Sequence, residues 1–142
     1  MKMNNITLIG MPGAGKSTLG VVLAKILGYE FLDSDLLIQK EEKRRLYQII
    51  DEEGEEGFKA IENRVNASID TENTVIATGG SVVYCSEAME HLKSIGKVVY
   101  LSLSLESLEK RLGNLKKRGV LLKEHLLPRL ECNGAILAHC NL

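Results

Sequence analysis

The sequence predicts a three-layer α/β fold in which helices cover both faces of a parallel sheet. Continuous apolar runs such as residues 75–77 and 98–101 are typical of strands that are buried on both faces. They alternate with stretches whose apolar residues recur at helical spacing. This alternation favours right-handed strand–helix–strand units. A chain of 142 residues that is 44% hydrophobic has the size of one domain.

The first elements surround a glycine-rich loop and an acidic segment. An apolar strand at residues 6–9 precedes the loop, and a second strand at residues 29–32 precedes Asp33-Ser34-Asp35. Between them, Gly28 is placed to end a helix, since glycine readily adopts the left-handed conformation of a helix cap. The apolar positions of that helix are Leu19, Val22, Leu23, Ile26 and Leu27.

The later elements repeat this order. One amphipathic helix is indicated by the apolar positions Phe58, Ile61, Val65 and Ile69. The strand at residues 75–77 leads into Thr78-Gly79-Gly80-Ser81. Ser86 is placed to cap a helix that precedes the strand at residues 98–101, and Ser104 begins another helix.

The glycine-rich loop matches a phosphate-binding pattern. Residues 10–17 read G-x-x-x-x-G-K-[ST] without a mismatch, between a strand and a helix as the pattern requires. Its backbone N–H groups and the amino end of the helix would point at a phosphate chain. Lys16 would reach the β- and γ-phosphates, and the Ser17 hydroxyl would bind Mg²⁺. The predicted ATP-binding residues here are Gly10, Met11, Pro12, Gly13, Ala14, Gly15, Lys16, Ser17 and Thr18.

Two carboxylates follow the second strand. The carboxyl ends of parallel strands open onto one crevice, so we expect Asp33 and Asp35 to face the phosphate-binding loop. If the segment is extended, alternation puts both on one side, where one serves Mg²⁺ and the other an acceptor hydroxyl. The alternative is that they cap the next helix, a position that suits aspartate.

Composition and missing motifs argue against several other classes. A net charge of −1 disfavours a large nucleic-acid interface, and no apolar run is long enough to span a bilayer. Three scattered cysteines, and a strand too close to Met1 for a signal peptide, favour a cytoplasmic location. A GTPase is disfavoured because the nearest match to the guanine-reading pattern N-K-x-D, residues 114–117, lacks the acid.

Further motifs follow in a characteristic order. After residues 10–18 come Leu32-Asp33-Ser34-Asp35, Gly57-Phe58-Lys59-Ala60-Ile61-Glu62, Gly79-Gly80, Arg111 and Arg118. From about residue 5 to about residue 124, this order resembles the shikimate kinase family of P-loop small-molecule kinases. The resemblance implies a P-loop kinase fold and transfer of the γ-phosphoryl group of ATP to a hydroxyl of shikimate.

The resemblance also implies roles for individual residues. Asp33 supports the metal, largely through water, and Asp35 binds the hydroxyl that is phosphorylated. Gly79 and Gly80 bring backbone amides to the substrate. The catalytic set is thus Lys16, Asp35 and Arg118, with Arg118 in a lid at about residues 113–124 that closes over the phosphates, while Arg111 packs on the adenine.

Three departures from the family pattern bear on the acceptor. Lys59 stands where the family has an arginine that grips the substrate carboxylate; lysine keeps the charge and loses the planar two-point fit. Ser81 replaces the third glycine of a Gly-Gly-Gly turn, and Arg118 is followed by Gly119 where proline is more usual. A kinase of another small polyol acid is therefore an alternative.

The last residues of the chain depart further from the family pattern. Residues 125–142 resemble the translation of an Alu-type interspersed repeat and take the place of the family's second substrate-binding arginine, fifth strand and final helix. We therefore expect a P-loop domain at 1–124, an atypical tail at 125–142, and a C-terminally truncated sheet of four strands. Either residues 135–138 cover its open edge or the protein associates with itself there, and we expect partial docking together with a homodimer. We expect shikimate turnover to be weak or absent because the second substrate-binding arginine is missing, and a nucleotide-binding module without turnover is a further alternative.

Overall fold

The computed structural model describes residues 4–102 and the backbone of residues 136–139. Within this part of the chain, the strands are β1 (Asn5–Gly10), β2 (Glu30–Asp33), β3 (Thr74–Ala77), β4 (Gly96–Ser102) and β5 (Ile136–His139). The helices are α1 (Lys16–Leu27), α2 (Ser34–Glu42), α3 (Leu46–Ala67) and α4 (Ser86–Ile95), with a short 3-10 helix at Val82–Tyr84.

The strands form one parallel sheet in the order β2-β3-β1-β4-β5. Neighbouring residues of β1 face opposite sides of it: Leu8 joins the apolar cluster that includes Ala24 of α1, while Ile9 joins the cluster that includes Leu92 of α4. Helices therefore cover both faces, and the predicted three-layer α/β fold is confirmed.

The segment predicted to cover the sheet edge forms a strand. β5 runs parallel to β4, with Val99 opposite Ile136 and Ser102 opposite His139. It begins one residue later than the predicted apolar run. The edge of β4 from which we expected a homodimer is therefore paired with the chain's own backbone, and the reason for expecting dimerisation at that edge is removed.

Two helix boundaries show how local sequence sets the elements. Gly28 caps α1 with φ 69° and its N–H bonds to Ala24 O, as predicted. The expectation that Ser86 caps α4 is wrong, because Ser86 is already the first helical residue and Cys85 precedes it as the cap. Inside α3, Gly54 adopts φ 72° and ψ −179°, a conformation outside the helical region that breaks the helix.

The packing of α2 on α3 is apolar inside and ionic at one end. Ile38, Ile49 and Phe58 are buried in a shared cluster. At the junction, Arg44 contacts Glu42 at 3.0 Å, and the same arginine contacts Glu52 at 2.6 Å and Glu53 at 3.2 Å; Arg64 also pairs with Glu42. These contacts fix the two helices that carry Asp35 and Glu62 relative to each other.

A buried asparagine ties together the amino end of the sheet. The side chain of Asn5 donates to Thr71 O at 2.7 Å and to Ile95 O at 3.0 Å, and it accepts from Thr74 N at 3.0 Å. Asn5 lies opposite Gly96 in the ladder, and a Cβ on Gly96 would lie 2.1 Å from Asn5 O. Glycine is thus required for β4 to approach β1 this closely.

Candidate active site

The phosphate-binding loop lies between β1 and α1, as predicted. Gly10, Gly13 and Gly15 have φ values of 146°, 81° and 89°, which L side chains rarely adopt. Gly15 is the cap residue of α1, and no side chain hydrogen-bonds to the first turn there. The backbone amides of that turn are therefore directed into the curve of the loop, where they would meet an anion.

Lys16 lies inside this loop. Its side chain is buried, and its ammonium donates to Gly10 O and Met11 O, both at 2.8 Å. Burial lowers the pKa of Lys16 from 10.5 to about 8, although nearby carboxylates, Asp35 first among them, act in the opposite direction. The cation thus lies against the loop that would hold the phosphates.

Asp33 ends β2 and caps α2. Its Oδ1 accepts from Asp35 N at 2.9 Å and from Leu36 N at 3.2 Å, while its Oδ2 accepts from the Ser17 hydroxyl at 3.2 Å. The expectation that Asp33 and Asp35 alternate along an extended segment is wrong, because α2 begins at Ser34. The capping alternative holds for Asp33, and the same carboxylate also reaches the residue predicted to bind Mg²⁺.

Asp35 lies in the first turn of α2 and faces the loop that follows β3. Its Oδ1 is 2.8 Å from the point where a Cβ on Gly79 would lie. Burial raises the pKa of Asp35 from 3.8 to about 6; the charge of Asp33 adds to this and that of Lys16 opposes it. The structure therefore brings Asp35 and Gly79 together, as the predicted acceptor role requires.

The two glycines after β3 allow close approach on either side. A Cβ on Gly80 would lie 2.7 Å from the ring of Pro12, so this glycine lets the loop after β3 pack on the phosphate-binding loop. A Cβ on Gly79 would lie 2.6 Å from Glu62 Oε2. A Cβ at either position would therefore lie closer than 3.0 Å to a neighbouring atom, although neither φ lies between +20° and +160°.

Glu62 is a residue that the sequence reasoning did not single out. It is fully buried on α3, and its Oε1 accepts from the Ser81 hydroxyl at 2.5 Å. Burial raises the pKa of Glu62 from 4.5 to about 7, although the Ser81 hydrogen bond acts in the opposite direction. A signal was present, since Glu62 falls between Phe58 and Val65 on the apolar face of the predicted helix.

The titration of Glu62 predicts a pH-dependent gain in stability for Glu62→Gln. Because the folded-state pKa is higher than the unfolded one, the folded protein binds more protons, and its stability falls as pH rises from about 4.5 to about 7. Glutamine removes this loss. Chemical unfolding should show a gain on the order of 2 kcal/mol at pH 8 and little at pH 4.

The control for this comparison is Glu90→Gln, which changes an exposed glutamate on α4. It should alter the free energy of unfolding equally at both pH values. An equal effect of Glu62→Gln at pH 4 and pH 8 would mean that Glu62 titrates normally.

Lys59 lies near the acceptor side of α3 with its charge already paired. Its ammonium is 3.3 Å from Glu55 Oε1 and 3.4 Å from Glu56 Oε1, and it sits 5.4 Å from the ring centre of Tyr84. The Lys59 side chain is only 14% exposed. A substrate carboxylate would therefore have to compete with these glutamates for the ammonium.

The remaining predicted residues lie outside the described part of the chain. They are Arg111, Arg118, the lid at about residues 113–124 and most of the tail. Among the described residues, no group of three or more His, Cys, Asp or Glu side chains could by itself hold a metal ion. No helix in that part of the chain has the length and apolarity needed to cross a membrane.

A cavity lies at the end of the sheet opposite the phosphate-binding loop. Its volume is about 420 Å³, and the residues that line it are Asn4, Asn5, Ile6, Tyr29, Lys93, Ser94, Gly96 and Lys97. They belong to the amino ends of the strands and to neighbouring segments. Ligands of open parallel sheets bind at the carboxyl ends, so the site remains with Lys16, Asp35 and Gly79.

Comparison with known proteins assigns the family. Residues 12–132, most of the chain, match the family model described as shikimate kinase.

The chain belongs to the shikimate kinase family.

Relatives and solved structures agree with this assignment. The shikimate kinase of Francisella tularensis subsp. novicida is 44% identical over 133 residues, which are 92% of this chain and 76% of that protein. The shikimate kinase of Legionella pneumophila is also 44% identical, over 92% of this chain and 75% of that protein.

The fold comparison agrees as well. A solved shikimate kinase from Acinetobacter baumannii in complex with shikimate has a TM-score of 0.87 and 33% identity, and the match covers 99% of this chain and 85% of that one. The resemblance drawn from the order of motifs is therefore confirmed at the level of family and fold.

Proposed function

We propose that this chain transfers the γ-phosphoryl group of ATP to a hydroxyl of shikimate. The observation that carries the proposal is the convergence of three strand ends. The phosphate-binding loop with Lys16 follows β1, Asp35 lies just after β2, and Gly79 follows β3. Family membership supports the same reaction.

The residues of the loop would hold the triphosphate. Backbone amides at the start of α1 would bind phosphate oxygens, as the positive end of a helix favours anions. The Lys16 ammonium would exchange the carbonyls of Gly10 and Met11 for the β- and γ-phosphates, stronger acceptors for a cation. Once it contacts the phosphates, this fixed charge stabilises the transferring group during the reaction.

Ser17 and Asp33 fit the proposed magnesium ion. A hydroxyl and a carboxylate 3.2 Å apart are the hard oxygen donors that Mg²⁺ prefers, and phosphate oxygens and water usually supply its other ligands. When bound, the ion neutralises negative charge on the phosphates. Asp33 also keeps its bonds to the amides of α2, which orient the carboxylate toward Ser17.

Asp35 would bind the acceptor. Its carboxylate lies against Gly79, where the absence of a side chain allows this close approach. A carboxylate there would accept a hydrogen bond from the attacking hydroxyl, orient it toward the γ-phosphate and take its proton. Gly79 and Gly80 would add backbone amides as donors to the substrate.

Several predictions from the sequence remain proposals. Arg118 in the lid at about residues 113–124 would close over the phosphates, and Arg111 would pack on the adenine. We likewise retain the division into a domain at 1–124 and a tail at 125–142, and a cytoplasmic location. A homodimer also stays a proposal, although β5 pairs with the edge of β4 that motivated it.

A coupled assay of ADP release tests the proposal directly. ADP should form from ATP and Mg²⁺ only when shikimate is present. Binding of ATP without shikimate-dependent ADP release would contradict the proposal and favour a nucleotide-binding module without turnover.

Another small polyol acid is a second candidate acceptor, and the pairing of Lys59 with Glu55 and Glu56 favours it. If Lys59 instead holds the shikimate carboxylate, Lys59→Ala should weaken shikimate binding by about 1.5–3 kcal/mol, the range for a charge-assisted hydrogen bond. Lys59→Arg should keep or tighten binding because the planar guanidinium grips a carboxylate at two points. Isothermal titration calorimetry would measure both.

The matched control is Lys40→Ala, which removes an exposed lysine from α2 and should leave shikimate affinity unchanged. If Lys59→Ala also leaves it unchanged, the carboxylate is bound elsewhere, and other polyol acids should then be compared as acceptors.

A further inference from the structure

We propose that Ser81 is a positioning residue for the acceptor, whose hydroxyl holds one oxygen of Glu62 so that the other oxygen lies against Gly79, beside Asp35. The inference rests on the proposed function, because it assigns this pair to the acceptor side of the same site. It concerns a serine at a position where the family pattern has glycine.

The first step is the contact itself. Ser81 and Glu62 are 4% and 0% exposed, and the Ser81 hydroxyl donates to Glu62 Oε1 at 2.5 Å. The Cys85 thiol lies 3.7 Å from the same oxygen. Oε1 is therefore held by neighbouring side chains, and rotation of the Glu62 carboxyl group would break a buried hydrogen bond.

The second step concerns the other oxygen. Glu62 Oε2 is buried and has no hydrogen-bond partner among the described residues. It lies 2.6 Å from the point where a Cβ on Gly79 would be, and Asp35 Oδ1 lies 2.8 Å from that same point. A ligand hydroxyl that donates to Oε2 would remove the cost of leaving a buried acceptor unpaired.

The pair of oxygens indicates the chemistry of the ligand. Two carboxylate oxygens from different helices lie within 2.6 Å and 2.8 Å of one point against Gly79, so they are neighbours. A ligand with two neighbouring hydroxyls could donate one hydrogen bond to each. Asp35 would take the hydroxyl that reacts, and Glu62 would take its neighbour. A monohydroxy acid would leave Glu62 Oε2 unpaired.

The third step explains why serine fits here. Ser81 has φ −96° and ψ 1°, which a side-chain-bearing residue adopts without strain, so glycine is not needed for the backbone. With glycine at this position, Glu62 Oε1 would lose its hydroxyl donor. The serine thus adds an orienting contact to Glu62.

The contact also affects the protonation of Glu62. The charged or titratable groups that face this carboxyl are Lys16, Asp35 and Cys85. Burial first, and then the charge of Asp35, disfavour the ionised carboxylate, whereas the Ser81 hydrogen bond, the Cys85 thiol and the charge of Lys16 favour it. Removing the hydroxyl should therefore raise the pKa of Glu62 further.

The experiment compares Ser81→Ala, Ser81→Thr and wild type in steady-state kinetics. Ser81→Ala should raise KM for shikimate about tenfold, the equivalent of one lost buried hydrogen bond, while KM for ATP stays unchanged. Ser81→Thr keeps a hydroxyl and should restore KM. Ser94→Ala, which removes an exposed serine hydroxyl from α4, serves as the control and should change neither KM.

A pH titration of Glu62 tests the contact between Ser81 and Glu62 without measuring turnover. Carbon-13 NMR of labelled glutamate side chains would follow Glu62, whose signal is identified by its loss in Glu62→Gln. In Ser81→Ala the apparent pKa of Glu62 should rise by about one pH unit, as expected for a lost hydrogen bond to the charged form. Ser81→Thr should return it to the wild-type value.

Two results would overturn the proposal: an unchanged shikimate KM in Ser81→Ala, or an equal rise of both KM values that threonine does not reverse. The second would indicate a merely structural role. Wild-type protein that neither binds nor phosphorylates shikimate would refute the proposed function and with it the acceptor role of Ser81. The NMR titration would still decide whether Ser81 holds Glu62.

Discussion

Replacing Asp35 by asparagine is expected to lower kcat for shikimate phosphorylation by about 10²–10⁴-fold, the range for loss of a positioned general base. Asparagine keeps the size of the side chain and loses the negative charge that would take the hydroxyl proton. Asp35 lies beside Gly79, and we propose that its carboxylate contacts the acceptor rather than the triphosphate, although its charge also acts on Lys16. The KM for ATP should therefore stay within a few-fold of wild type, as steady-state kinetics would show.

Two further variants sharpen this test. Asp70→Asn removes an exposed aspartate that follows α3 and should leave both kinetic constants unchanged. Asp33→Asn should instead raise the Mg²⁺ concentration needed for half-maximal rate, because Asp33 contacts Ser17. The assignment of Asp35 to the acceptor and Asp33 to the metal is wrong if Asp35→Asn weakens ATP binding as much as Lys16→Ala does.

Lys16→Ala is expected to remove most of the stabilisation that ATP or ADP with Mg²⁺ gives to the folded protein. A ligand at a hundred times its Kd stabilises a protein by about 2.7 kcal/mol. Alanine deletes the cation that would contact the β- and γ-phosphates, so affinity and the shift in Tm should both fall sharply. Thermal unfolding with and without nucleotide would measure the difference.

The quantity to compare is the shift in Tm caused by nucleotide, and not Tm itself, because Lys16 also has a structural role. Its ammonium donates to Gly10 O and Met11 O, so alanine leaves two loop carbonyls without a donor and should lower the Tm of the nucleotide-free protein as well. Lys25→Ala, at an exposed position on α1, is the control. Equal nucleotide-induced shifts in Lys16→Ala and wild type would contradict the phosphate role of Lys16.

The features that sequence predicted well are those set by local patterns. The phosphate-binding loop has a fixed spacing, and its glycines adopt the positive φ values for which glycine is suited. Gly28 ends α1 for the same reason. The strands of a sheet covered on both faces are continuous apolar runs, so β3 and β4 could be identified without knowledge of their neighbours.

The error at Asp33 and Asp35 arose from the competition between two local signals. Both an extended segment and a helix cap are compatible with an Asp-Ser-Asp sequence. The cap prevailed because Asp33 satisfies two amides at the start of α2, while its second oxygen still reaches Ser17. The Asp33 carboxylate thus caps α2 and contacts Ser17 at the same time, although the sequence presented capping and metal binding as alternatives.

The contact between Glu62 and Ser81 could not be predicted from spacing. The two residues are 19 positions apart in different elements, and only the packing of α3 against the loop after β3 brings them together. The sequence showed a glutamate on an apolar helix face and a serine in place of a glycine. Neither observation identifies its partner, because side-chain contacts of this kind depend on tertiary structure.

The Asn5 side chain has a consequence for folding. Its three hydrogen bonds join residues separated by 66, 69 and 90 positions, so its amide is satisfied only when three distant segments have met. A β1 strand shifted by one residue would bury that amide without partners, which costs about 1–3 kcal/mol for each unpaired group. Asn5 thus favours the native register, because a misaligned sheet leaves its amide unpaired. The amide is satisfied only when all three segments are in place at the amino edge of the sheet.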